Sequence, residues 1–145
     1  MTDALDITAP EYEKARRMLQ SDLIAWFATV SADGRPHAVP VWFFWHDGQV
    51  VIFSEPAAVK VRHVREGSPA LVHLHAGGEF GDDVVILEGR ADAQDGGAAE
   101  WLARFRDDYA DKYAQASTAF GSTVDALPET FSTALVFTPE RILTW

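Results

Sequence analysis

"LIAWFATVSADGRPHAVPVWFFWHDGQVVIFS", residues 23–54, decides the fold. Its aromatic and β-branched residues fall into three short runs, 23–30, 37–45 and 50–54. Turn signals separate the runs, with Asp33-Gly34 in the first connection and Asp47-Gly48 in the second. Asp-Gly between apolar runs is a strong hairpin signal, because both turn residues can take positive φ. The pattern predicts three antiparallel strands in a meander.

On the N-terminal side, "TAPEYEKARRMLQ" predicts a helix over 9–21. Thr8 and Glu11 have the spacing of a capping box, Pro10 falls in the first turn, and Ala15, Met18, Leu19 and Leu23 recur at helical spacing. On the C-terminal side Pro56 stops the third strand, a short helix follows over 57–66, and Gly67 stands at its C′ position. Strands are expected at 70–76 and 83–94, joined by "GGEFGD". A long helix is expected at 97–117, whose Trp101, Phe105, Tyr109 and Tyr113 read as packing. Residues 133–145 should form two short strands bent at Pro139. No repeat or long linker divides the chain. The whole predicts one domain over 1–145: a mainly β fold with helices, six or seven antiparallel strands in a closed or split β-barrel.

The run "HAVPVWFFW" has no polar face. Strand side chains alternate, so Ala38, Pro40, Trp42 and Phe44 share one side and Val39, Val41, Phe43 and Trp45 the other. One side can face the barrel interior. The other needs a cover, and a second subunit or a ligand groove would supply it. Pro40 removes a ladder donor and favours an edge or bulge, where the backbone of Val39 and Val41 can face a ligand.

The 145 residues carry 12 Lys+Arg against 22 Asp+Glu, a formal net charge of −10. That balance argues against nucleic acid as a partner. Yet Lys60, Arg62 and Arg65 lie together in "VKVRHVR", with His63 among them. Local positive charge on an acidic protein points to a small anionic ligand. The aromatic second strand, the Ser54 hydroxyl and a helix bearing Lys60 and Arg62 would suit a flat apolar ring with a phosphate or carboxylate tail, and helix N–H groups near residues 57–59 would add to anion binding.

Other signals are weaker. His73 and His75 share a strand face, but no third ligand is evident, so no metal site is expected. No phosphate-cradling glycine motif follows a strand. There are no cysteines. "MTDALDITAPEYEK" lacks the basic and apolar regions of a signal peptide, and no run reaches the roughly 20 apolar residues of a membrane span, so a cytoplasmic protein is expected.

Two motifs carry a resemblance. The first is Thr29, Val30, Asp33, Gly34, Pro36, Val39, Pro40, Val41, Trp42 and Phe43; the second is Lys60, Arg62, Arg65, Pro69 and His73. In this order they resemble the pyridoxamine 5′-phosphate oxidase-like split β-barrel superfamily. Within it the chain resembles the B-type branch of the deazaflavin (coenzyme F420)-dependent oxidoreductases of actinobacteria, over residues 15–145. The resemblance implies a homodimer with sites at the subunit interface and hydride transfer from reduced F420 to a small planar unsaturated or electrophilic substrate. It implies Lys60 as the phosphate-binding residue, Arg62 serving phosphate or glutamyl carboxylates, and His63 where relatives carry Asn. It places Val39, Pro40, Val41 and Trp42 along the ring. It supplies no catalytic acid or base; His37, His46 and His75 are candidates only by their titration range. Alternatives are an FMN-binding protein of the same fold and a non-catalytic binder of F420, a flavin or a tetrapyrrole. Against FMN, "VVIFSEPA" stands where the oxidase branch has a basic phosphate motif.

Overall fold

The computed structural model describes residues 5–145. Residues 1–4, part of the N-terminus read above as leaderless and of the 1–145 domain, lie outside the described residues. A 3-10 turn, Pro10–Tyr12, leads into α1, Glu13–Ser21. The capping box does not form: the Thr8 hydroxyl donates to Asp6 at 2.5 Å, and no side chain caps either segment. Ala15 and Leu19 are buried, whereas Leu23 lies beyond the helix and is 45% exposed.

β1, Ala25–Val30, and β2, Pro36–Val41, form the first hairpin, with Ala25 opposite Val41. Gly34 takes φ 88° in its turn. β3, Phe44–His46, and β4, Gln49–Ser54, form the second, in which His46 faces Gln49 across Asp47 and Gly48. Asp47 at φ 49° and Gly48 at φ 77° give the two positive values of a type I′ turn. Both turn readings hold.

The meander does not. The sheet order is β2-β1-β5-β6-β7-β4-β3, antiparallel throughout, so residues 37–45 are two strands at opposite edges of one seven-stranded sheet. Only Trp42 and Phe43 join those edges, and the three Cα–Cα steps from Val41 to Phe44 span at most ~11 Å by the extended-chain limit. The sheet must therefore curl until its edges nearly meet, which makes a split β-barrel.

β5, Ala70–Leu74, pairs with β1 and β6; β6, Val85–Gln94, pairs along its whole length with β7, Thr133–Thr144. The expected final pair is thus one strand. Its Pro139 faces Gly89 while Arg141 faces Glu88, so Glu140 bulges out. Gly89 is required there: a Cβ would come 2.1 Å from the Thr138 carbonyl oxygen.

α2, Val59–Arg65, follows β4. It ends in a Schellman motif, with Ser68 N–H donating to His63 C=O and Gly67 N–H to Val64 C=O, both at 3.0 Å. Gly67 takes the φ of 91° that the motif needs.

The expected helix 97–117 is broken. α3, Ala98–Lys112, bends at Phe105 (φ −136°), and Tyr113 separates it from α4, Ala114–Phe120. A one-turn α5, Leu127–Thr130, completes the chain. The barrel core gathers Phe27, Phe43, Ile52, Val72, Leu87 and Phe137. A second cluster lies outside the sheet, where Trp101, Phe105, Tyr109 and Tyr113 cover Val51, Ala134 and Val136, with Trp42 and Phe44 packed against them. Trp42 stacks on Tyr113 at 4.4 Å and Phe44 on Phe105 at 4.2 Å. Much of the cover expected from a second subunit or a ligand groove comes from the chain's own helices, packed on Trp42 and Phe44; on that side Ala38 and Pro40 stay exposed.

Tyr113 and Lys112 pin the seam. The Tyr113 hydroxyl accepts from Phe43 N–H at 2.9 Å and donates to Leu23 C=O at 2.6 Å. The Lys112 ammonium donates to Phe43 C=O at 2.7 Å and lies 3.7 Å from the centre of the Phe43 ring. Burial pushes Lys112 down to about 8, partly opposed by Asp22. The unfolded chain, with lysine near ~10.4, binds the extra proton between those values, so stability should rise with pH from about 8 to about 10, by on the order of 1 kcal/mol. The contact with Phe43 C=O survives, because a neutral amine still donates. Denaturant midpoints across that window should show the rise, and Lys112→Met should flatten it. A flat wild-type profile would contradict the burial argument.

Candidate functional site

A cleft of about 450 Å³ opens where β2 leaves the sheet edge and β4 runs into α2. Pro40, Val41 and Trp42 form one wall; Phe53, Ser54 and Glu55 form the next, continued by Ala58 and Lys60. Tyr109 closes the back, and Phe120, Ser122, Leu127 and Phe131 line the far side. β2 and β4 are not hydrogen-bonded to each other, yet the curl of the barrel brings Trp42 and Ser54 to one cavity.

Five expected site residues meet here: Pro40, Val41, Trp42, Ser54 and Lys60. The Trp42 ring is held by its stack on Tyr113 and approaches Phe120 at 6.3 Å. Ser54 is 1% exposed and its hydroxyl donates to Glu55 C=O at 3.0 Å. Lys60 is half-buried, and desolvation holds its ammonium below the ordinary lysine value, with Glu55 partly restoring it. Among the described residues neither Lys60 nor Glu55 has an ion-pair partner.

Three expected residues do not line the cleft. The Val39 side chain packs on the barrel core. Arg62 is exposed on another face of α2. At ~100° per residue, positions 60 and 62 point about 200° apart, so one cleft cannot receive both. His63 is 3% exposed and its Nδ1 lies 2.8 Å from the Thr29 hydroxyl, a contact that fixes α2 on β1. Arg65 is not free either, since it pairs with Asp95.

Sequence reasoning missed Glu55, Tyr109, Phe120 and Phe131. Tyr109 was legible as part of the helical aromatic stripe, but that stripe reads as packing. The structure gives Tyr109 both roles, packed against Phe53 at 5.5 Å and facing the cleft. Burial raises its phenol far above the usual value, so it stays protonated.

A second cavity of about 490 Å³ lies by Arg16, Trp45, His46 and Lys112. Its cations are engaged: Arg16 donates to Ile7 C=O and Ala9 C=O, Lys112 to Phe43 C=O, and His46 lies 3.4 Å from Asp47. The first cleft alone of these two joins an unpaired ammonium to aromatic walls. No described helix is long and apolar enough to cross a membrane.

Several solved structures share the fold. An F420 reductase is 15% identical, covering 88% of this chain and 94% of its own, with a TM-score of 0.65. A conserved hypothetical protein from Mycobacterium tuberculosis is 18% identical over 99% of this chain and 89% of its own, at 0.73. An FAD-binding protein from Mesorhizobium loti is 16% identical over 89% and 87%, at 0.63. No curated protein matches the chain at a significant level. The family model for pyridoxamine 5′-phosphate oxidase matches residues 12–145, nearly the whole chain and both of its motifs, and with the split barrel found above it shows that the chain belongs to the pyridoxamine 5′-phosphate oxidase family.

Proposed function

We propose that this chain is a coenzyme F420-dependent oxidoreductase whose coenzyme occupies the cleft between Trp42 and Lys60. The observation that carries this reading is the meeting of an unpaired, partly desolvated ammonium with an aromatic wall in one cavity. Those residues fit a planar ring with a phosphate-bearing side chain: Trp42, Phe53 and Tyr109 offer flat apolar surface, and Lys60 offers a charge-assisted bond to an anion. The bound coenzyme would supply the hydride. The protein's part is to bind, orient and exclude water. Trp42, fixed by Tyr113, would set the ring plane; Val41 and Leu127 would keep water from its faces. No side chain in the cleft is assigned as a proton donor, and the substrate class stays a small planar unsaturated or electrophilic molecule.

An FMN-binding protein of the same fold is the second reading. The cleft holds one cation, because Arg62 points elsewhere and Arg65 is engaged by Asp95. One phosphate would satisfy Lys60, while the glutamyl carboxylates of F420 would find no further cation in the cleft. A homodimer belongs to the proposal as well. Phe120 is 74% exposed at the cleft mouth and Phe131 36%, and a partner chain would cover them. Sedimentation of a monomer at micromolar concentration would remove that part.

Fluorescence titrations with F420 and with FMN, followed by turnover of reduced F420 with a panel of acceptors, test the function. Saturable F420 binding with acceptor-dependent oxidation is expected. Tighter FMN binding would transfer the assignment to the second reading. F420 binding without turnover on any acceptor would leave a coenzyme-binding protein instead of an enzyme.

A further inference from the structure

Glu55 is the one carboxylate lining the cleft, and Lys60 the one ammonium. Glu55 follows the last residue of β4, and Lys60 is the second residue of α2. Their fields overlap, since Glu55 partly offsets the desolvation of Lys60, yet no ion pair joins them. The remaining lining is apolar or neutral: Ser54, Ser122 and a Tyr109 phenol that burial keeps protonated. The charged residues of the lining, exposed Glu55 and half-buried Lys60, therefore sum to a formal charge of zero.

A phosphate monoester carries about −1.5 to −2 at neutral pH, its second pKa being near ~6. A phosphodiester carries only one negative charge. Lys60 can neutralise a single charge. A second charge on the same phosphate would have no cation left and would meet the Glu55 carboxylate. We propose that Glu55 is a specificity-determining residue that selects coenzymes whose phosphate is a singly charged diester and disfavours monoesters. This rests on the flavin-type coenzyme reading above and sharpens it. Within that reading, the diester phosphate of F420 suits the pairing of Lys60 with Glu55 better than the monoester of FMN, the glutamyl carboxylates then lying outside the cleft.

The test compares three probes that share one ring: FMN, the methyl phosphodiester of FMN, and riboflavin. Each is titrated into the wild-type protein and into Glu55→Gln at low salt. The wild type should bind the diester about three- to tenfold more tightly than FMN, the scale of one partly screened like-charge contact. Glu55→Gln should narrow that gap by tightening FMN more than the singly charged diester, with riboflavin unchanged within about twofold. Acidifying from about pH 7.5 to about pH 5.5 crosses the second pKa of the monoester, so it should tighten FMN on the wild type and much less on the variant. The groups facing the phosphate are Lys60 from α2, Glu55 from the segment before it and Tyr109 from α3.

FMN bound more tightly than the diester by the wild type would overturn the proposal. So would a Glu55→Gln change that moves both phosphates equally. If riboflavin binds as well as either phosphate, or if none of the three binds, the inference fails, and the coenzyme reading stands or falls separately on the F420 titration. Unchanged riboflavin affinity in Glu55→Gln shows that the cleft is intact, which separates a charge effect from a damaged fold.

Discussion

Tyr113→Ala should lower the stability of the fold by about 3–5 kcal/mol, the range for truncating a fully buried aromatic side chain. That is a large part of the ~5–15 kcal/mol that holds a domain of this size. Tyr113 is 1% exposed and sits where the two edges of the sheet meet. Its ring supports Trp42, and its hydroxyl ties Phe43 N–H to Leu23 C=O. Tyr113→Phe keeps the ring and loses the hydroxyl, leaving the buried Phe43 N–H without its acceptor and the part-buried Leu23 C=O without its donor, and should cost about 1–3 kcal/mol. Denaturant unfolding of the three proteins measures both steps. A Tyr113→Phe protein as stable as the wild type would mean that the seam does not depend on this hydroxyl.

Lys60→Ala should weaken coenzyme binding by about 1–3 kcal/mol, the scale of a hydrogen bond to a charged group. The side chain has no protein partner to lose, so the fold should be unaffected or slightly more stable, since a partly desolvated charge is removed. Equal denaturation midpoints together with a five- to roughly 150-fold rise in Kd would separate binding from stability. The wild-type Kd should also rise with added salt as screening grows. Arg62→Ala is the internal control: Arg62 lies outside the cleft lining and its removal should change binding by less than ~1 kcal/mol. If Arg62→Ala is the more damaging change, the coenzyme tail runs over the outer face of α2 and the cleft has been misplaced.

Local chemistry was legible in the sequence, and partner choice was not. The two Asp-Gly signals located both hairpin turns because the turn needs positive φ at fixed positions, and Asp47 and Gly48 supply it. Gly67 marked the end of α2 for the same reason. The break at Trp42 and Phe43 carries no such mark. Both residues favour strands, and nothing local says that the run will pair with β4 only at its end, through β3, while β2 pairs with β1 at the opposite edge of the sheet. The alternation of the second run was read correctly, with Phe43 in the barrel and Trp42 outside it, but what covers Trp42 depends on where α3 packs. At the candidate cleft, Lys60 and Trp42 were singled out from residue chemistry, and both line the cavity. Arg62 was named from the basic cluster and from the family resemblance; it lies outside the cleft lining, and helical geometry sets it about 200° from Lys60. Glu55 escaped notice because a carboxylate at a strand end is commonplace; only the curl of the barrel shows that it faces the cavity holding Lys60.

A crystal structure of the protein grown with F420 tests the central claim most directly. The claim predicts the ring against Trp42, within the walls formed by Phe53 and Tyr109, and a phosphate oxygen at hydrogen-bond distance from Lys60 Nζ, ~2.7–2.9 Å. Coenzyme in the cavity beside Arg16 and Lys112, or a phosphate held by Arg62 with Lys60 turned to solvent, would contradict it.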